Sequence, residues 1–472
     1  MRIEITGLDA RYTMEQLCSM LLPGADGDCV CRVTCRDNRR SAAVRLKVGE
    51  RTTRGAARCT VPPDPHTAVN LERRMVARAT YRAICDYLEE RPQWGMLSGV
   101  RPAKLVRAHL EQGGSARGAA GFLRREYDVS PEKAALCLET GRVAAALNRS
   151  FRPGDFYLYA HVPFCPTRCS YCSFITAAGD AFARWGGDYF RRLLDELSML
   201  RRLTEARGMY GRGIYIGGGT PAIYSPEELT ALCAALTAAC GGNPEEFTVE
   251  AGRPDAITAE KLSALRRGGV TRICVNPQTM NDRTLTLIGR AHTAEDTRRA
   301  YLLAREAGFS TINCDLIAGL PGESVGDFGE SLQEILSWDP ENITVHTLAI
   351  KRGSSMNAAG VRQASPEELR EMLALTEDTL RAAGYTPYYL YRQKYTGGGF
   401  ENIGWAKPGR ICRYNVAMME EIGDIFSAGA GAVTKLTSRE FARFSNPKYP
   451  AEYLAADGFD ARYRELLAYY GD

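Results

Sequence analysis

The sequence lacks any apolar run long enough to span a membrane, although the chain has 472 residues. Its first residues, Met1-Arg2-Ile3-Glu4-Ile5, also lack the apolar core of a secretory signal peptide. Neither sign of charge dominates, because the formal net charge is only +4, so composition points to no polyanionic partner. Strong internal repeats and low-complexity tracts are missing as well. We therefore expect a soluble, cytoplasmic protein of two or more domains, with no membrane or nucleic-acid partner.

Cysteine is plentiful, but the 15 cysteines are odd in number and mostly irregular in spacing, which argues against a disulfide framework and fits a reducing compartment. The informative exception is the CxxxCxxC segment Cys165-Pro166-Thr167-Arg168-Cys169-Ser170-Tyr171-Cys172. Three thiolates on one short loop can bind three irons of a 4Fe-4S cluster and leave the fourth iron open for a substrate. The alternative is a structural zinc site, which needs four protein ligands. The nearest further ligand, His161, belongs to the preceding strand-like run.

Residues 1–150 differ in pattern from the rest and predict a separate N-terminal α+β domain. A strand-like start precedes an amphipathic helix at residues 14–22, polar hairpins to about residue 61, and helices from residue 71 onward. Met75, Ala79, Ala83 and Tyr87 recur at helical spacing and predict the buried stripe of one helix. No motif identifies a role for this domain.

Two features of this domain have alternative interpretations. Cys29, Cys31 and Cys35 could form a second metal site or, on an alternating strand, could share one inward face with Val33. We favour buried thiols. Six arginines could form a basic surface or an ordinary solvated face, namely Arg39, Arg40, Arg73, Arg74, Arg124 and Arg125.

From residue 151 the chain alternates strand and helix patterns. Strands are predicted at residues 157–161, 214–217, 247–251, 271–276, 311–317 and 343–348. Two intervening helices open with Ser-Pro-Glu-Glu, at Ser225 and at Ser365, which predicts serine caps, a first-turn proline and capping boxes. Six β-α units predict an α/β fold, a partial (β/α)6 barrel over residues 151–385 with reactive groups at the carboxyl ends of its strands. Residues 386–472 are predicted as a C-terminal α+β extension that covers the substrate.

Successive strands end in groups that could hold a cofactor. The second is followed by Gly217-Gly218-Gly219-Thr220-Pro221, which lets backbone approach a ligand closely but is not a phosphate loop, because no lysine follows. The third ends at Glu250, a carboxylate able to accept both hydroxyls of a ribose or to pair with Arg253. Gln278, Arg290 and Asp315 follow, and their common placement at one rim favours a joint functional role.

These motifs resemble the oxygen-independent coproporphyrinogen III oxidases of the radical S-adenosylmethionine (SAM) superfamily. The resemblance covers about residues 150–440. It is carried by residues 159–165, the triple glycine, Glu250, Asp315-Leu316-Ile317-Ala318-Gly319-Leu320-Pro321-Gly322 and Gly429-Ala430-Gly431-Ala432. Segments 276–280 and 391–394, together with the extra N-terminal domain, look most like the HemZ-type coproporphyrinogen dehydrogenases.

The resemblance implies a role for each matched residue. The cluster ligands are Cys165, Cys169 and Cys172. The residues around the cluster-bound SAM are Tyr159, Tyr171, Gly218 and Glu250. The residues matched to a second SAM are Gly219, Thr220, Gln278, Arg290, Asp315, Ala349 and, on a weaker alignment, Val433. The catalytic candidates among them are Tyr159, Glu250, Arg290 and Asp315.

The implied reaction converts two propionates of coproporphyrinogen III to vinyls, which yields protoporphyrinogen IX for haem synthesis. A monomer served by a low-potential donor such as flavodoxin or ferredoxin is expected. Cationic side chains suit the tetra-anionic substrate. The candidates are Arg253, Lys351, Arg352, Arg392 and Lys394.

Two positions depart from the family pattern. Phe174 stands where the oxidases have a fourth cysteine, as in haem chaperones of the same superfamily, and Arg413-Tyr414-Asn415 replaces an Arg-His-Asn pattern. The alternatives to the oxidase are therefore a haem-binding chaperone and a radical SAM methyltransferase or ring-opening enzyme acting on tetrapyrroles.

Overall fold

The computed structural model describes residues 1–172, 177–349, 356, 364–393 and 399–471. Within them the chain forms two compact units. The first comprises Met1–Arg142 and Leu390–Asn402, and the second comprises Val143–Tyr389 and Ile403–Asp472. No helix of the described residues is long and apolar enough to cross a membrane.

The first unit contains a four-stranded sheet and a helical layer. Its strands are β1 Arg2–Thr6, β2 Gly27–Arg36, β3 Arg39–Val48 and β4 Arg51–Thr60. They lie in that order, with β1 parallel to β2 and the other pairs antiparallel. The helices are α1 Arg11–Leu21, α2 Pro65–Leu88, α3 Ala103–Glu111, α4 Ala116–Tyr127 and α5 Pro131–Ser150, the last of which continues into the second unit.

Helix α2 covers the sheet with the predicted apolar stripe. Met75, Ala79 and Ala83 are buried, whereas Tyr87, one turn further on, is only half-buried at the edge of the core. A Cβ added to Gly55 of β4 would lie 2.0 Å from the carbonyl oxygen of Ala79, so this glycine allows the helix to approach the strand closely.

The prediction for the N-terminal thiols is correct for two of three. Cys29 and Cys31 on β2 are fully buried. Cys35 is exposed, so the prediction of a shared inward face is wrong at this position. Cys35 pairs with Arg40 beside the β2–β3 turn, where the strands extend past the core that covers Cys29 and Cys31.

Buried charge holds the segment 390–402 inside the first unit. Glu401 is fully buried, accepts a hydrogen bond from Trp94 Nε1 at 2.6 Å and pairs with Lys133 Nζ at 2.5 Å. Arg392 is 3% exposed and donates to the carbonyl oxygens of Leu97 and Gly399. Breaking a buried pair by removing one partner typically costs about 3–5 kcal/mol. Because its guanidinium is buried and bonded in this way, Arg392 is not the exposed substrate contact that the sequence suggested.

The second unit is built on an eleven-stranded sheet, two of whose strands extend into residues 390–402 of the first unit, and on a two-stranded ribbon. Its strands are β5 Asp155–Val162, β6 Phe164–Cys165, β7 Ala177–Ala178, β8 Tyr210–Gly218, β9 Glu246–Gly252, β10 Arg272–Val275, β11 Ile312–Ala318, β12 Asn342–Thr347, β13 Thr386–Arg392, β14 Glu401–Ala406, β15 Asp424–Ala428, β16 Val433–Leu436 and β17 Ala442–Ser445. The sheet order is β13-β14-β12-β11-β10-β9-β8-β5-β15-β16-β17, and β6 pairs with β7. All six predicted strands are present and mutually parallel, which confirms the predicted α/β class.

Helices connect the parallel strands, and others follow them in the C-terminal segment. They are α6 Ala181–Ala206, α7 Pro226–Ala239, α8 Ala259–Arg267, α9 Asp282–Leu287, α10 Ala294–Glu306, α11 Val325–Ser337, α12 Pro366–Ala382, α13 Arg413–Glu420, α14 Pro450–Ala455 and α15 Asp460–Tyr470, with short 3-10 turns at Pro221–Ile223 and Pro254–Ala256. Both predicted capping boxes form, at Ser225 with Glu228 and at Ser365 with Glu368. Each box satisfies backbone N–H groups at the helix start.

The C-terminal segment extends the sheet at both edges. Strand β14 pairs antiparallel with β12 at one edge, and β15 pairs parallel with β5 at the other. Because the sheet order ends in β13 and β17, the sheet is open. The carboxyl ends of β5 and β8–β12 therefore share one edge, where the predicted site residues come together.

Candidate active site

The three cysteines lie on a loop after β5, here called the cysteine loop (residues 165–172). Cys165, Cys169 and Cys172 are all half-buried, whereas most other cysteines of the chain are buried in the cores. Thr220 Oγ1 donates to Cys165 Sγ at 3.4 Å. A donor of this kind stabilises a thiolate.

The donor set of this loop fits an iron-sulfur cluster. Among the described residues, no three His, Cys, Asp or Glu side chains are grouped to hold one metal ion. The ligands of a 4Fe-4S cluster bind separate irons, so its thiolates are not required to converge on one point as zinc ligands do. Three half-buried thiols on one loop would hold three irons and leave the fourth open.

Arg253 clamps the cysteine loop from one side. Its guanidinium is 3% exposed and pairs bidentately with Asp255, at 3.0 Å to Oδ1 and 2.8 Å to Oδ2. Its Nη1 donates to the Thr167 carbonyl oxygen at 3.2 Å and to Thr167 Oγ1 at 2.8 Å. The suggested Glu250–Arg253 pair does not form, and these bonds already occupy the guanidinium that was proposed for substrate.

Arg290 lies on the other side of the loop. Its Nη1 donates to the Asn276 carbonyl oxygen at 2.7 Å, and its Nη2 is 3.4 Å from the Tyr171 hydroxyl. The electrostatic interaction of Arg290 with the Cys169 thiol further places the cation beside the loop. The Ser170 amide donates to the Ile288 carbonyl oxygen at 2.9 Å, which joins the loop to the turn before Arg290. Two cations, the buried Arg253 and the half-buried Arg290, therefore flank a loop that would carry anionic thiolates.

The triple glycine brings the end of β8 against β5. Gly218 has φ +111°, and a Cβ there would lie 2.7 Å from the His161 ring. The next amides donate across the gap, Gly219 to the Val162 carbonyl oxygen at 2.6 Å and Thr220 to that of Phe164 at 2.7 Å. Only glycine fits this left-handed close approach.

Glu250 is the carboxylate at the end of β9. It accepts a hydrogen bond from the Tyr215 hydroxyl at 2.5 Å, and Gly217 leaves space for it, since an added Cβ would lie 3.0 Å from Glu250 Oε2. Burial raises the pKa of Glu250 to about 7, and the nearby Asp315 carboxylate acts in the same direction. The carboxyl therefore titrates near neutral pH.

Aromatic rings pack beside Glu250. Tyr414 stacks on Tyr215 with ring centroids 4.4 Å apart and on Tyr159 at 6.0 Å. The Tyr159 hydroxyl is 2.9 Å from His161 Nδ1. Tyr414 is 4% exposed, so the residue that departs from the family pattern is part of the site wall.

Gln278 and Asp315 come from neighbouring strand ends. Gln278 has φ +70°, donates its amide to the Asp315 carbonyl oxygen at 2.9 Å and accepts from the Ile317 amide at 3.0 Å. Asp315 accepts from Asn313 Nδ2 at 2.7 Å, and its Oδ2 is 3.8 Å from His346 Nε2. The structure thus joins these two predicted residues through the backbone.

A second turn approaches the end of β5 from the C-terminal segment. The Gly429 amide donates to the buried Glu196 carboxylate at 2.8 Å, and the Ala430 amide donates to the Tyr189 hydroxyl at 2.8 Å. Tyr189 in turn donates to the His161 carbonyl oxygen at 2.8 Å. The Gly-Ala-Gly-Ala motif is therefore held against the strand that precedes the cysteine loop.

For the remaining predicted residues, the structure gives few contacts or none. Ala349 follows β12, and Val433 begins β16 near the sheet edge, with its carbonyl oxygen accepting from Ser427 Oγ at 3.0 Å. Phe174, Lys351, Arg352 and Lys394 lie outside the described residues.

Sequence reasoning missed three contributors to the site. Tyr215 and His346 sit on strands β8 and β12 and face Glu250 and Asp315, respectively. The period-2 alternation of these strands was the signal that could have found them. Asp255 was also missed, and it orients the Arg253 clamp.

Comparison with known proteins identifies relatives of this chain. Residues 159–335 match the model of the radical SAM superfamily. The chain is 40% identical over 370 residues to "oxygen-independent coproporphyrinogen-III oxidase-like protein HemZ" of Bacillus subtilis, covering 76% of this chain and 74% of that protein. It is 29% identical over 307 residues to "heme chaperone HemW" of Haemophilus influenzae, covering 64% and 76%. The solved structure of coproporphyrinogen III oxidase HemN from Escherichia coli aligns with a TM-score of 0.54 and 22% identity, covering 68% of this chain and 73% of that one.

The Arg253 clamp predicts that Arg253→Ala impairs cluster retention. The variant loses the bidentate pair and both bonds to Thr167, so the loop between Cys165 and Cys169 is no longer held. We expect at least twofold lower iron and sulfide per folded chain after anaerobic reconstitution. Arg253→Lys should rescue little, because an ammonium cannot bridge both partners.

The matched control for this prediction is Arg201→Ala, which removes an exposed Arg201–Glu205 pair on α6. It should retain wild-type iron. Circular dichroism corrects for folded protein, and wild-type iron content in Arg253→Ala would disprove the clamp.

The pKa of Glu250 predicts a pH dependence of SAM binding. Below about pH 7 the carboxyl is protonated and is a poorer acceptor for ribose hydroxyls, so wild-type affinity should rise with pH, by about tenfold between about pH 6 and 8. Glu250→Gln should bind more weakly and lack this rise. Calorimetric titration of reconstituted protein without reductant measures both.

Tyr215→Phe tests whether Glu250 is the group that titrates, because the variant loses a hydrogen-bond donor that lowers the Glu250 pKa. The pH midpoint of the rise in SAM affinity should therefore be higher in this variant than in the wild type. An identical pH profile in wild type and Glu250→Gln would show that another group titrates.

Proposed function

This chain belongs to the radical SAM superfamily and, within it, to the family of oxygen-independent coproporphyrinogen-III oxidase-like proteins, and we propose that it oxidatively decarboxylates coproporphyrinogen III to protoporphyrinogen IX. Family membership implies a 4Fe-4S cluster and SAM as cofactors. The observation that carries the proposal is the meeting of the cysteine loop, the triple-glycine turn and Glu250 at one sheet edge of a chain 40% identical to HemZ.

Each group at this edge has a proposed task. Cys165, Cys169 and Cys172 would hold the cluster, and the chemistry that the cluster and SAM together would supply is a carbon-centred radical from one-electron cleavage of SAM. The turn at Gly218, whose backbone packs against the His161 ring, would contact the cluster-bound SAM through its backbone. Glu250, fixed by Tyr215, accepts the ribose hydroxyls. Tyr159 and Tyr171 lie beside His161 and Arg290 and form walls for the same ligand.

Two propionates require two hydrogen abstractions. Each propionate would lose one hydrogen atom, carbon dioxide and one electron and so become a vinyl group, while one SAM would take up that hydrogen atom and one electron and yield methionine and 5′-deoxyadenosine. We propose that a second SAM supplies the second radical. Asp315 and Gln278, joined through the backbone, offer it a carboxylate and an amide, and Arg290 offers a cation. Gly219, Thr220, Ala349 and Val433 complete the proposed second site by their matched positions.

The proposed contacts to the substrate are inferred from the attraction between its carboxylates and cationic side chains. Because Arg253 and Arg392 are bonded within the protein, carboxylates of the tetrapyrrole must find other cations. Lys351, Arg352 and Lys394 are the remaining candidates. Residues 386–472 cover the substrate in this proposal, a reduced flavodoxin or ferredoxin supplies the electron, and the chain acts as a monomer.

A haem chaperone is the second candidate function. Two observations favour it: the HemW relatives, of which the Haemophilus influenzae protein is one, and Phe174 in place of the oxidases' fourth cysteine. The fold does not separate the two functions, since one scaffold hosts both.

Anaerobic turnover with SAM, a low-potential reductant and coproporphyrinogen III tests the proposed function. Chromatography should reveal a monovinyl intermediate followed by the divinyl product, with two 5′-deoxyadenosines per divinyl product. Cys169→Ala, which removes one cluster ligand, is the inactive control. Stoichiometric haem binding without vinyl product would establish the chaperone instead, and a methylated or opened tetrapyrrole would establish the third alternative.

The second SAM site predicts a selective defect in Asp315→Ala. The cluster and cleavage of the first SAM should persist, while turnover stops before the divinyl product. Parallel assays of iron, 5′-deoxyadenosine, monovinyl and divinyl product check this.

Asn313→Ala is the matched control, because it removes the donor to Asp315 but keeps the carboxylate. It should still form divinyl product. Equal losses of cluster in both variants would show that Asp315 only braces the strand end, and wild-type divinyl yield from Asp315→Ala would refute the second site.

A further inference from the structure

The first unit contains an arginine-lined cleft for which the reaction above has no use. We propose that this cleft binds a small molecule carrying two or more phosphate or carboxylate groups. The inference is independent of the proposed reaction, because every residue that carries it lies in the first unit.

The cleft consists of two adjoining cavities. The outer one has a volume of about 590 Å³ and the inner one about 300 Å³. Arg91, Arg125 and Asp128 line both, so the two cavities are neighbours. Their sizes fall in the range of small-molecule sites.

The charge of the cleft is strongly positive. Its described lining residues include one acid, Asp128, and five cations, namely Arg78, Arg82, Arg91, Arg124 and Arg125. Arg91 approaches Asp128 at 3.4 Å. Within the described residues, no hydrogen bond or ion pair occupies the guanidinium of Arg124 or Arg125. These two adjacent cations are therefore available to an anion.

One further group favours an anionic ligand. Helix α5, 20 residues long, begins in the cleft wall at Ser130 and Pro131, so its N-terminal dipole lies at the outer cavity. Tyr81 lines the inner cavity, is 3% exposed and interacts through its hydroxyl with Cys85 and Asp128 of the same cavity.

Gly121 shows that the cleft wall is shaped around Arg125. It lies inside helix α4, where glycine is a poor helix former, and it lines the outer cavity. A Cβ at this position would lie 2.7 Å from Arg125 Nη1. The missing side chain therefore leaves the space in which the guanidinium sits.

The shape of the guanidinium indicates the ligand class. Arginine binds phosphate and carboxylate through parallel N–H donors, and several arginines around one cleft match a ligand with several such groups. Met96 and Val129 add apolar contacts. A phosphate ester and a tetrapyrrole polycarboxylate share this chemistry.

Binding to the full-length protein tests the proposal with two probes. Inorganic triphosphate is titrated by calorimetry, and coproporphyrin III by fluorescence. At least one should bind saturably to the wild type and at least tenfold more weakly to Arg124→Gln/Arg125→Gln. The probe whose affinity falls in the double variant shows whether the anionic groups of the ligand are phosphates or carboxylates.

Two further variants distinguish binding at a specific site from nonspecific attraction to the positive charge of the protein. Arg58→Gln/Arg117→Gln removes two exposed arginines of the same unit outside the cleft and should bind within twofold of the wild type. Gly121→Ala changes no charge and favours the helix, yet it should weaken binding at least threefold by displacing Arg125. Equal losses in the two double variants, or no saturable binding of either probe, would overturn the proposal.

Discussion

The common direction of six strands is the constraint on which the candidate site depends. Parallel strands need crossover helices, so each strand end is followed by a loop at the same sheet edge. The cysteine loop, the Gly218 turn and Glu250 are far apart in sequence but reach this edge together. Reversal of a single central strand would carry its functional loop to the opposite edge. The β5–β8 contact is the tightest of these junctions, because glycine alone allows the two strand ends to approach so closely.

Attraction between opposite charges explains why several charged side chains lie buried or half-buried at this sheet edge. Arg253 and Arg290 flank the cysteine loop, and they offset the negative charge that three thiolates would bring into a half-buried place. The Asp315 carboxylate on β11 disfavours ionisation of Glu250 on β9, and it adds to the effect of burial in raising the pKa of Glu250. Tyr215 and Asn313 hold them by hydrogen bonds. Cations therefore lie beside the cysteine loop, whereas carboxylates lie at the ends of β9 and β11.

The scaffold leaves the chemistry to a few side chains. HemZ and HemW proteins match this chain over a large part of its length, so the sheet and its loops serve more than one function. Tyr414 in the site wall is one position where this chain departs from the oxidase pattern. The first unit adds an arginine-lined cleft on a scaffold with its own sheet and core. Its contribution to function is thus a separate question from that of the radical chemistry.

The sequence by itself determined the elements that depend on local pattern. Strand alternation, the Ser-Pro-Glu-Glu caps and the CxxxCxxC spacing are set by neighbours a few residues apart, so the six strands, the two capping boxes and the cysteine loop could be predicted. Only the tertiary structure decided which distant groups meet. Arg253 pairs with Asp255 and Thr167 rather than Glu250, Arg392 is buried under Trp94, and Cys35 lies outside the core. The physical reason is that a charged side chain pairs with whatever acceptor packing brings within reach, and packing joins segments distant in sequence, 86 residues apart for Arg253 and Thr167 and 295 for Arg392 and Leu97.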